Sequence, residues 1–186
     1  MKTIPFGPTP RLLSCVTATA LLASCVPGPG GSCFLGQQVT IPTSDSTDPT
    51  LAVDFHLADG SLVTVQSGGQ VPADIISPDG TVTINAVARD AEGVRDVQLW
   101  IAARKCTSDP ATGATTCSGP GLLGAPTTSN RDGGAPGARG CTERLTSQSV
   151  QVVHTQVRDD SYEVTVRAES FGSGTVQIGL IRLRAN

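Results

Sequence analysis

The stretch Thr81–Ile101, TVTINAVARDAEGVRDVQLWI, sets the tightest limit on how this chain can fold. Val82, Ile84, Ala86 and Ala88 fall on alternate positions, and after Asp90-Ala91-Glu92-Gly93 the alternation resumes with Val97, Leu99 and Ile101. A period of two puts each set on one face of an extended strand, whereas a helix would need spacings of three and four. The stretch therefore predicts two core strands joined by an acidic, glycine-containing turn. With Val97, Leu99 and Ile101 inward, the single Trp of the chain, Trp100, must point outward beside Gln98. So large an apolar group on an outer face needs a cover, either another part of the chain or a partner.

The same alternation recurs on both sides. Leu51, Val53, Phe55 and Leu57 share a face and lead into Asp59-Gly60, a pair that readily adopts hairpin-turn angles, with Leu62–Gln66 returning beside them. Val71–Ile76 reads as an edge piece, because Pro72 has no N–H to give a central ladder. Later segments, Gln148–Val157, Tyr162–Ala168 and Thr175–Leu183, alternate again, and no helical period of any length appears. Between them, Lys105–Gly140 is rich in Gly, Pro, Ser, Thr and Ala and reads as a long irregular loop, a length uncommon in compact domains unless it has a function. The expected fold class is all-β: one antiparallel sandwich of about seven strands over residues 50–186, with the 105–140 loop closed by disulfides.

Residues 1–24 have the profile of an export signal, with Lys2 and Arg11 ahead of the apolar run LLSCVTATALLAS and no acidic residue. The run falls short of the roughly 20 residues that cross a bilayer. It ends in Leu22-Ala23-Ser24-Cys25, which resembles the lipobox of bacterial lipoproteins. That resemblance implies cleavage before Cys25, acylation of its thiol and a membrane anchor of more than one acyl chain, durable at about 0.8 kcal/mol per buried methylene. Residues 25–49, punctuated by Pro and Gly, are expected to form an extended tether. Loss of the leader removes two positive charges from a chain of formal charge −3, leaving an acidic body of −5. Val26 is not the acidic residue that resembles an inner-membrane retention signal, so in a two-membrane organism the outer membrane is the expected home.

Four cysteines remain besides Cys15 and Cys25: Cys33, Cys106, Cys117 and Cys141. An exported chain favours two disulfides. Three connectivities are possible, and the expected one joins Cys106 to Cys117 at the neck of the loop and Cys33 to Cys141 between tether and body. A zinc site is disfavoured by the absence of a Cys-x-x-Cys knuckle.

The pI of about 5.2 argues against nucleic acid as a partner, and an aromatic content of 3% leaves little for stacking platforms. His56 and His154 have no G-x-S-x-G elbow or H-E-x-x-H helix beside them, so no catalytic residues are assigned and a small secreted hydrolase stands as the alternative. No cofactor is expected, apart from calcium as a weak candidate if Asp90 and Glu92 met Asp159 and Asp160 at one end of a sandwich.

The pattern Ala88-x-Asp90-x-x-Gly93-Val94 followed by Val97-x-Leu99-x-Ile101 resembles the second and third strands of bacterial immunoglobulin-like surface modules, and Asp160–Ala168 resembles their penultimate strand. The resemblance implies a tyrosine corner at Tyr162 and a spacer, adhesive or accessory role without a shared active site. The expected protein is thus a monomeric, lipid-anchored, non-catalytic binding or structural module of the bacterial cell envelope, with Trp100 and Gln98 as candidate binding residues; the alternative is an accessory subunit of an envelope complex that docks through Trp100 and the 105–140 loop.

Overall fold

The computed structural model describes residues 33–44, 47–72, 74–119, 121–122, 127–128, 135–172 and 174–186. The leader, Cys25 and the first part of the tether lie outside the described residues. The described residues form an all-β protein of twelve strands: β1 (Gln38–Thr40), β2 (Thr50–His56), β3 (Leu62–Gln66), β4 (Asp74–Ser77), β5 (Gly80–Ser108), β6 (Thr115–Cys117), β7 (Gly121–Leu122), β8 (Thr127–Thr128), β9 (Arg139–Val152), β10 (His154–Thr155), β11 (Arg158–Ser170) and β12 (Thr175–Ala185). All belong to one open sheet with the path β1-β9-β5-β11-β12-β4.

β5 organises it. The stretch read as two strands joined by a turn is a single strand of 29 residues, bent rather than reversed. Its first half pairs with β2 through Thr83–Arg89 and with β9 through Gly80–Arg89; its second half pairs with β11 from Val94 to Thr107. On the β9 side the register jumps between Arg89 and Val94, and on the β11 side Arg95 is an extra residue between the Val94 and Asp96 pairs. Extra residues on one strand bend it and sharpen its twist. Gly93 makes the bend possible, at φ 113, where a Cβ would lie 3.0 Å from the Phe171 ring. Gly140 accepts the other side of that ring, since a Cβ there would come within 2.8 Å. The inward phase changes at the bend too: Val82, Ile84, Ala86 and Ala88 are buried before it, and Val97, Leu99, Ile101 and Ala103 after it.

The two arms share one core. Leu51, Val53 and Phe55 of β2 lie in the same cluster as Leu99 of β5, Val164 and Val166 of β11, and Ile181 and Leu183 of β12. The hairpin of β2 and β3 turns at Asp59-Gly60 with Gly60 at φ 85, and Asp59 accepts hydrogen bonds from the N–H and hydroxyl of Ser61. β4 is an edge strand, but it runs parallel to β12, a departure from a purely antiparallel sheet.

Two further expectations change. The 105–140 segment is not wholly irregular: β6, β7 and β8 lie antiparallel along β5 at Cys106–Ser108, Ala102–Ala103 and Gln98–Leu99. These polar, glycine-punctuated residues carry no alternation to announce strands, and the edge of β5 supplies the ladder. The second part of the expected tether is also body: β1 pairs with Arg139–Cys141, and Ile41 is buried. Both disulfides are present, Cys33 to Cys141 and Cys106 to Cys117, the latter joining residues directly opposite on β5 and β6.

Tyr162 ties β11 back to β9. Its hydroxyl donates to the Gln151 carbonyl at 2.5 Å, back across eleven residues. Burial first, and then the carboxylate of Asp160, push this phenol above its ordinary value, with Arg158 opposing. A raised folded pKa means the neutral phenol is the form the fold prefers. Its contribution is complete below the unfolded value of about 10 and disappears as pH climbs through the raised one. Tyr162→Phe should therefore cost about 1 kcal/mol at neutral pH and flatten the alkaline decline in stability, measured by urea unfolding between pH 8 and 11.

Candidate functional site

The outward face of β5, β11 and β12 carries the candidate site. With Val97, Leu99 and Ile101 buried on the inner face, Gln98, Trp100 and Ala102 stand on the outer one, each partly exposed, as the sequence predicts. Trp100 lies opposite Thr165 of β11. Thr165 falls at the step between the Val164–Ile181 and Val166–Ile178 pairs, where β12 places two residues, Gly179 and Leu180, against one. Ile178 and Ile181 both point into the core, so the bulge throws Leu180 outward, 58% exposed. Leu180 is the described non-glycine residue with positive φ, at 34°, a conformation that costs a branched apolar side chain about 1–3 kcal/mol. Glycine stands immediately before it, yet the leucine takes the strained position. On the other flank, β7 sets Leu122, 63% exposed, opposite Ala102. Trp100, Thr165 and Leu180 therefore form one rank across three strands, with Leu122 one rank along.

Guanidinium groups border these residues. Arg104 is exposed beyond Ala102, Arg167 pairs with Glu169 at 2.9 Å, and Arg182 and Arg184 reach Asp74 only loosely, at 3.8 and 3.5 Å. Gln98 is less free than its position suggests. Its amide donates to the buried Asp96 carboxylate at 2.7 Å, and the Arg144 guanidinium beside it donates to the Val94 carbonyl at 2.7 Å. Burial draws Arg144 below its ordinary value while Asp96 acts against that. Gln98 thus helps hold the bend of β5 and contributes to the face mainly through its stem.

The four carboxylates considered for calcium do not come together. Asp90 and Glu92 sit in the bend, where Asp90 Oδ1 accepts from the Glu92 N–H at 2.8 Å and the Thr47 hydroxyl at 3.3 Å. Asp159 and Asp160 pair with Cys106 and Lys105 at the other end of the second half of β5, a strand rising about 3.3 Å per residue. Asp160 is fully buried and accepts from Arg158 at both oxygens, from Nε at 3.1 Å and from Nη2 at 2.5 Å. Asp159 meets His154 Nδ1 at 3.4 Å, and both side chains are more than half in water or close to it, 56% and 50%.

That His154–Asp159 pair lies in an open groove of about 520 Å³ with Ser108, Ser161, Arg104, Arg158 and the Cys106–Cys117 disulfide. Among the described residues no hydroxyl bonds to the imidazole, and Ser108 is engaged with Thr115 at 2.9 Å. A nucleophile needs a base within hydrogen-bond reach, so this grouping lacks the contact that would activate a serine. His56 lies apart, exposed at the end of β2.

Sequence reasoning locates Trp100 but misses Leu180 and Leu122. The apolar run Ile178-Gly179-Leu180-Ile181 breaks alternation around a glycine, which is the sign of a bulge. Leu122 has no such sign, because only the ladder with β5 gives it a face.

No protein-family model matches the chain, and no curated protein matches it. Among solved structures, the crystal structure of Spo0M, a sporulation control protein from Bacillus subtilis, overlaps 74% of this chain with a TM-score of 0.26 and 9% identity. The chain spans 50% of that protein's length, and a likeness of this degree carries no argument about function.

Proposed function

We propose that this chain is an exported, lipid-anchored protein of the bacterial cell envelope, an immunoglobulin-like β-sandwich that acts without catalysis as a binding module or accessory subunit. Its docking surface is the outer face centred on Trp100. The observation that carries the reading is the Trp100–Thr165–Leu180 rank. An acidic body with one Trp holds it outside the core, beside a leucine kept exposed at positive φ. Strain of this kind persists where a contact needs the side chain presented, and Trp is the residue most enriched at interface hot spots. The bond from Tyr162 to Gln151 supports the immunoglobulin-like reading. The lipobox-like Leu22–Cys25 supports the anchor, and with Cys33 bonded to Cys141, seven residues lie between Cys25 and the body, a reach of about 25 Å.

The test is in-cell photo-crosslinking from position 165, beside Trp100. It should trap a second envelope protein, and Trp100→Ala should lower the yield about tenfold. Cys25→Ser should move the protein out of the membrane fraction. Trapping that Trp100→Ala leaves unchanged would remove the docking surface, and membrane retention of Cys25→Ser would remove the anchor.

A further inference from the structure

We propose that β9 pairs edge to edge, antiparallel, with β9 of a second copy of this chain. The argument rests on how the chain treats its sheet edges. An open edge offers unpaired N–H and C=O groups to any passing strand, and proteins shield edges by shortness, bulges, proline, charge or covering segments. Almost every edge here is shielded in one of these ways. β4 has 4 residues and lies between Pro72 and Pro78, while β3, with 5 residues, is of ordinary length and offers less edge. The part of β12 beyond β4 is interrupted by the Gly179–Leu180 bulge. β6, β7 and β8 cover the second half of β5, and β1 covers the start of β9 at Arg139–Cys141.

Among the described residues, Leu145–Val152 of β9 has none of these defences. It pairs with β5 on one side, and among the described residues no strand pairs with it on the other. Thr127 of β8 reaches this segment only through side chains, its hydroxyl donating to Gln148 at 3.0 Å and its carbonyl accepting weakly from the Thr146 hydroxyl, and among the described residues no backbone hydrogen bond occupies the outer side of the strand. The run LTSQSVQV contains no proline, glycine or charge. Eight residues exceed the usual strand length of five to six.

The absence of charge selects the occupant. The body is acidic overall, so net charge opposes the approach of two copies, and this edge adds no like charges to that repulsion. A partner of either sign finds no complementary charge here. A strand edge is also complementary to itself: an antiparallel two-fold pairing joins the same patch on both copies. With Ser147 of one copy opposite Ser149 of the other, the outward residues stay outward in both, and Thr146 and Val150 stay on the inner side. The two β2–β3 arms would then form one continuous sheet across the axis.

Sedimentation of the full chain in detergent, with Cys25→Ser beside it to remove any acyl contribution, tests this. The expected result is a concentration-dependent dimer in both, with alternate amides of Leu145–Val152 gaining hydrogen-exchange protection as the dimer forms. Ser147→Lys with Ser149→Lys places like charges across the axis on two exposed positions and should raise the dissociation constant roughly tenfold or more at unchanged melting temperature. A monomer up to about 1 mM, a dimer indifferent to the lysines, or an edge that takes up an unrelated extended peptide without self-association would each overturn the proposal.

Discussion

Replacing Cys33 and Cys141 together by serine is expected to lower stability by about 5 kcal/mol, the largest effect of any change considered. The bond closes a separation of 108 residues, and the entropy it removes from the unfolded chain grows with the logarithm of that length. The same relation gives about 3 kcal/mol for Cys106 and Cys117, separated by 11 residues. The native state feels the loss as well. Without its disulfide the chain before Gln37 is no longer pinned beside Cys141, and the pairing of β1 with Arg139–Cys141 must hold by itself. Urea midpoints and slopes of the two double variants together measure the difference, the slope rising most where the longer loop is released. Equal losses would show that the long loop is already restricted in the unfolded chain.

Leu99→Ala should cost about 3–4 kcal/mol, and Trp100→Ala, one residue along and removing a far larger side chain, about 1 kcal/mol or less. Leu99 is fully buried among both arms of the core, so its truncation loses transfer energy and leaves a cavity that the paired strands on either side cannot close. Trp100 stands on the other side of the same backbone, partly exposed, and its removal opens no cavity. A Trp100→Ala loss as large as that of Leu99→Ala would place the indole in a second, hidden core and weaken its reading as a contact residue.

The sequence carries the local periods of this fold clearly and its partnerships poorly. Alternation at Val82–Ala88 and Val97–Ile101 gives the buried faces of β5 and the outward placement of Trp100. Asp59-Gly60 gives the hairpin. The bend is different, because Asp90-Ala91-Glu92-Gly93 has the composition of a reversing turn and of a bulge alike. Which one forms depends on β9 and β11 continuing along its two flanks, information that lies some fifty and seventy residues further on. The same reason hides β6, β7 and β8, whose polar residues become strands only because the edge of β5 is open to them. It also hides the docking of residues 33–44, where Ile41 is the lone apolar residue that becomes buried. The site divides likewise: Trp100 follows from alternation, whereas Leu180 and Leu122 join it through register. The calcium grouping fails for the converse reason, since two acidic pairs alike in composition lie at opposite ends of the second half of β5, one in its bend and the other on β11 across from Lys105 and Cys106.

Which outer face meets a partner is the question that decides the functional account. The two arms offer a direct comparison, Thr165 beside Trp100 on one and Asn85, bonded to Ser147 at 2.6 Å, on the other. A photo-crosslinker placed at each position in the anchored protein should give an adduct with a different envelope protein from position 165, whereas position 85 should give none except with a second copy of this chain. Adducts with a different protein from position 85 alone, or equally from both positions, would contradict the assignment of the Trp100 face.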